Sequence, residues 1–112
     1  DTDLTEITVY RSRGRIAGFK ANGHTGYAES GEDIVCSAVS ALTQTAIMGL
    51  TEHLGLRASH EIKEGSLTCM LDKSISNDEW KSAEIILETM LLGLKSIEGN
   101  YCGYLRLTER EV

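Results

Sequence analysis

An α+β two-layer sandwich is the fold this sequence predicts, with an antiparallel or mixed sheet of about five strands and two helices on one face. Three observations predict it. Short alternating segments occur in pairs, and each pair is joined at a tight glycine-containing turn. A longer stretch with apolar residues at three- and four-residue steps follows each pair. A last short alternating segment follows the second of these stretches. Hairpins interrupted by helices in this order pack as one sheet covered on one side.

Each element has its own justification. Glu6 to Tyr10 alternates, with Ile7 and Val9 on one face. Ser12-Arg13-Gly14 is a turn, and Gly14 suits a positive-φ position. Arg15 to Ala21 is the second strand of that hairpin, and Asn22 to Gly31 is a loop containing Gly23, Gly26 and Gly31. A helix is expected from about Glu32 to Leu54, with Val35, Val39, Leu42, Ala46, Leu50 and Leu54 as its apolar stripe and Gly55 as its stop. Ser30 followed by Asp33 has the spacing of a capping box. His60 to Lys63 and Ser66 to Asp72 form a second hairpin, with Leu67, Cys69 and Leu71 on one face. Ser76 with Glu79 opens a second helix, whose stripe runs Trp80, Ala83, Leu87, Met90, Leu91, Leu94 and Ile97 and which Gly99 ends. Tyr104 to Thr108 is a final strand.

Residues 1–112 make a single domain. Hydrophobic residues are 41% of the chain and charged residues 25%, enough to build a core. A domain this small has little room for an enclosed site, so a surface groove, a loop or a subunit interface is the expected setting for chemistry. The formal net charge is −6, from 17 acidic and 11 basic residues, which disfavours a sequence-independent grip on nucleic acid and suits a basic protein partner. Cys36, Cys69 and Cys102 are an odd number without close spacing, so neither a disulfide framework nor a zinc knuckle is expected, and a reducing compartment is. His53 and His60 have no spacing that suggests a metal site. No apolar run is read as long enough to span a membrane, and no secretory signal opens the sequence as given, so a cytoplasmic location is expected.

The chemistry concentrates between Gly23 and Ser40. Cys36 falls in the first or second turn of the first expected helix, where unpaired N–H groups and the helix dipole favour a thiolate. Those N–H groups could receive an oxyanion. Cys36, Ser40 and Thr43 share a strip of small polar residues beside the apolar stripe, which leaves Cys36 reachable at the edge of the core. His24 follows Gly23 at the end of the second strand, and a glycine-rich loop of this length can return it to the helix start as an acid–base partner. Other readings stay open at this point. Cys36 could be a small core filler, Asp33 a helix cap and Ser40 a hydroxyl bonded to the preceding turn. Gly23, Gly26 and Gly31 could serve chain reversal alone. Cys69, in a strand facing the core, and Cys102, in a late turn, are structural.

The pattern as a whole is more specific. Gly23-His24, six residues, then Gly31-Glu32-Asp33-Ile34-Val35-Cys36 and Ser40 resembles the signature of the bacterial ribosomal-processing cysteine protease family, formerly a domain of unknown function. The similarity extends to Ile86-Leu87-Glu88-Thr89-Met90-Leu91 and Ser96-Ile97-Glu98. The resemblance implies a protease that removes the N-terminal extension of a large-subunit ribosomal protein, with Cys36 as nucleophile and His24 as general base and acid. It further implies Asp33 and Ser40 in support of the site or substrate, a moving loop hinged at Gly23, Gly26 and Gly31, a homodimer, and no metal or cofactor. A binding module that holds a basic partner would share the acidity but not need the His24–Cys36 spacing. A redox-sensing thiol protein would keep its function when His24 is replaced.

Overall fold

The computed structural model describes residues 4–23 and 30–112, with the side chains of residues 30–33 excepted. Strands β1 (Thr5–Ser12) and β2 (Arg15–Asn22) form the first hairpin. Its two-residue loop has φ of 56° at Arg13 and 81° at Gly14, the mirror-image turn whose twist matches paired strands. Helix α1 (Ser30–Met48) runs on into a π-helical turn, Gly49–His53. The second hairpin, β3 (Ala58–Lys63) and β4 (Ser66–Leu71), follows, then α2 (Asn77–Asn100) and β5 (Leu105–Glu111). The sheet order is β3-β4-β2-β1-β5, antiparallel throughout except for the parallel β1–β5 pair. The sheet is therefore mixed, and the α+β two-layer architecture is the one expected.

One face of the sheet makes the core. Ile7 and Val9 on β1, Phe19 and Ala21 on β2, Leu67, Cys69 and Leu71 on β4, and Leu105 on β5 pack with Val35, Val39, Ala46 and Leu50 of the first helix and Ala83, Leu87, Leu91 and Leu94 of the second. Strict alternation fails once. A bulge sets Tyr10 opposite Gly18 but Arg11 opposite Ile16, so Ala17 is an extra residue. That is how Ile16 and Phe19, an odd number of residues apart, both face inward and are fully buried. Beside the bulge β2 lies so close to β4 that a Cβ on Gly18 would stand 2.3 Å from the carbonyl oxygen of Cys69.

Several element limits differ from expectation, each for a physical reason. The first helix starts at Ser30, two residues ahead of the expected Glu32, and the Ser30–Asp33 capping box falls on side chains outside the described ones. At its other end the chain widens into the π turn: Leu54 N–H donates to Gly49 O and Leu56 N–H to Leu50 O, both at 2.9 Å, around Gly55 at φ 65°. Contrary to the expectation that no apolar run is long enough, Ile34–His53 could cross a membrane by length and composition. In this fold Val35, Val39, Ala46, Ile47 and Leu50 of that stretch lie in the protein core. The second helix is capped as read, with Glu79 N–H donating to Ser76 Oγ at 3.1 Å and Ser76 N–H to the Glu79 carboxylate at 2.7 Å. β5 outruns its expected end by three residues, Glu109 to Glu111, held by pairing with β1 and by Arg11.

Candidate active site

Cys36 sits in the second turn of α1, half-buried. A helical side chain leans toward the N-terminus, which aims its sulfur back over the first turn. The N–H groups of residues 30–33 have no intrahelical partner, so that turn offers donors and the positive end of the dipole. Three chain segments meet the cysteine. Thr5 opens β1 with its Oγ1 3.4 Å from Cys36 Sγ. Gly23 directly follows β2; a Cβ built there would be 3.8 Å from both Cys36 Sγ and Thr5 Oγ1. The β3–β4 hairpin closes the third side, where Gly23 N–H donates to Gly65 O at 2.9 Å.

Between α1 and that hairpin lies a cleft of about 180 Å³. Cys36, Ser40 and Gln44 line one wall, and Ile62, Ser66 and Leu67 the other. Ser40 is held by Gln44, whose Nε2 donates to Ser40 Oγ at 2.7 Å. Thr43, one turn on, is fully buried and spends its hydroxyl on Val39 O at 2.8 Å. A shallower depression continues from Cys36 along the outer face of α1 past Ala41 to Met48. A larger hollow, about 1080 Å³, occupies the outer face of the sheet around Tyr10, Lys20, Met70 and Trp80. No cysteine or histidine is among its described lining residues, so the smaller cleft is where thiol chemistry can occur.

Of the residues singled out from sequence, the fold brings Cys36, Ser40 and Gly23 to this cleft. Gly31 and Asp33 lie by their backbone in the first turn of α1, just ahead of Cys36. His24 and Gly26 lie outside the described residues. Cys69 is in the core, and burial pushes its thiol up to about 11, so it is protonated and inert. Cys102 is exposed in the turn after α2, as are His53 and His60 in their own elements. Among the described residues no cluster of His, Cys, Asp and Glu could hold a metal ion. Thr5, Gln44 and the hairpin wall were missed. Only Thr5 left a signal, as the polar member of the inward series Thr5, Ile7 and Val9.

The cysteine protease Prp family model matches residues 4–106. The chain belongs to that family. The ribosomal processing cysteine protease Prp of Bacillus subtilis is 29% identical over 108 residues, covering 94% of this chain and 96% of the relative. Its Staphylococcus aureus counterpart is 34% identical over 106 residues, covering 91% and 93%. A crystal structure of the S. aureus protease with a covalently linked product peptide superposes with a TM-score of 0.79 at 25% identity, covering 96% of this chain and all of that one. The protein is thus a cysteine protease with the family's α+β fold. Its half-buried thiol at a helix start, facing a cleft between a helix and a hairpin, is the kind of site that chemistry needs.

Proposed function

We propose that this protease removes the N-terminal extension of a large-subunit ribosomal protein, with Cys36 as nucleophile and His24 as general base and acid. The observation that carries the assignment is the position of Cys36, in the second turn of α1 at the wall of the cleft. Gly23 stands against it, and His24 is the next residue in the chain. Cys69 is buried, and Cys102 lies outside the lining of the cleft.

In this mechanism Cys36 gives its proton to His24, and the thiolate attacks the scissile carbonyl carbon. The carbonyl oxygen takes up the negative charge and is met by backbone N–H groups of the first turn of α1. Collapse of the tetrahedral adduct breaks the C–N bond, and His24 returns the proton to the departing amine. Water then attacks the thioester, His24 takes a proton from it, and the acid product leaves as Cys36 is regenerated. Ser40, fixed by Gln44, would donate to the bound peptide, and Asp33 would act from the helix start. The Gly23, Gly26 and Gly31 hinges would let the intervening loop close over substrate. An acidic chain of net charge −6 suits a basic ribosomal protein as substrate. The reading includes a homodimer in the cytoplasm, and neither metal, cofactor, membrane nor direct nucleic-acid contact.

Incubation with the unprocessed ribosomal protein of the same organism, read by mass spectrometry, tests this. The expected result is one discrete N-terminal trimming event, lost in both Cys36→Ala and His24→Ala with folding retained. No trimming by folded, reduced wild type would overturn the assignment and favour a binding module. Trimming that survives His24→Ala would remove the dyad.

A further inference from the structure

We infer that Thr5 is a positioning residue for the nucleophile, its hydroxyl donating a hydrogen bond to the Cys36 sulfur when that sulfur is a thiolate. The inference rests on the assignment of Cys36 made above. Thr5 is 2% exposed, a polar side chain on the inward face of a strand, in line with Ile7 and Val9. A buried hydroxyl must find a partner or lose its hydration without return. Its Oγ1 lies 3.4 Å from Cys36 Sγ.

The backbone fixes it there. Thr5 pairs with Leu105 of β5, and its N–H donates to Tyr104 O at 3.0 Å. Its branched side chain has few rotamers open to it in a packed strand. The hydroxyl is therefore held on the sulfur by a sheet, not by a loop.

The contact discriminates between states of the cysteine. Toward a thiol either group can donate. A thiolate has no proton, so Thr5 must donate, and a hydrogen bond to an ionised acceptor is about twice as strong as a neutral one. Toward a thioester the sulfur is a poor acceptor and the bond fades. Thr5 keeps its own proton throughout, while the proton of Cys36 goes to the base. The hydroxyl thus favours the thiolate before attack and again when the thioester is hydrolysed.

Alkylation of Cys36 by iodoacetamide against pH, in a Cys102→Ser background, tests this by following the Cys36 peptide. Thr5→Val keeps the branched shape and removes the hydroxyl. The expected result is an upward shift of the profile midpoint by about one pH unit. Because a less stabilised thiolate is more nucleophilic, the high-pH plateau should rise about threefold. Peptide cleavage at neutral pH should fall about threefold, the loss of thiolate outweighing its greater nucleophilicity, and Thr5→Ser should restore both midpoint and rate. A merely structural threonine would lower stability or rate without moving the midpoint. An unmoved midpoint in folded Thr5→Val would overturn the inference. Should Thr5→Val fail to fold, Thr5→Ala is measured by the same criterion. Loss of the parent assignment is separately visible, because Cys36→Ala would then still cleave.

Discussion

Three cysteines with one chemistry are separated by their surroundings at the scale of single residues. Cys69 faces the core from β4, and desolvation alone raises its thiol to about 11. Cys36 is half-buried at a helix start and Cys102 exposed in a turn. Thiolates react and thiols do not, so native protein at pH 8 with iodoacetamide should label Cys36 and Cys102 and spare Cys69 until urea unfolds the chain. Peptide mapping reads this directly, and early labelling of Cys69 would contradict the packing around it. The residues at the cleft were unequally legible from sequence. Cys36 and Ser40 stood out through their spacing from Gly23 and Gly31. Gln44 did not, because what makes it matter is a hydrogen bond to Ser40, and such a bond has no signature in a polar helix position.

Arg11 shows what holds the elements in place. Its guanidinium donates to Glu88 on α2 at 2.9 Å and pairs with Glu109 on β5, so one β1 side chain ties three elements together. The hydrogen bond from Arg11 holds the Glu109 carboxyl below its ordinary value of 4.5. A depressed carboxyl contributes stability above its unfolded value and loses it as pH falls through the folded one. Arg11→Met should therefore cost about 1 kcal/mol at pH 7, a modest figure because both glutamates are more than a third exposed. The difference from wild type should shrink as pH drops below about 4.5. Urea unfolding at pH 7 and at pH 3.5 measures both, and a difference that persists in acid would assign the loss to packing by the Arg11 stem instead. The limits of elements follow similar logic. The Ser76 capping box was readable because it is local, whereas β5 extends through Glu109 because of partners on β1 and α2 that sequence proximity does not reveal.

At the scale of the molecule, the helix layer has an outward face that the core does not use. Ile34 and Met48 on α1, and Ile85 and Leu92 on α2, are exposed by 48 to 71%. The proposed homodimer would bury them and place a second copy beside the depression that leads from Cys36 to Met48. Sedimentation should give twice the 12.3 kDa chain mass, and Ile85→Glu with Leu92→Glu should return it to one. A wild type that sediments as a monomer at tens of micromolar would exclude that use of the face. By itself the sequence determined the element order, the two-layer class, the helix stripes and the candidate nucleophile. These rest on periodicity, turn chemistry and spacing along the chain, all of which are local. Only the tertiary structure decided that β5 joins β1 in parallel, that a bulge turns Ile16 and Phe19 to the same side, and that Thr5 meets Cys36 across 31 residues. Those depend on which strands find each other once the apolar face is buried, and no local pattern carries that information.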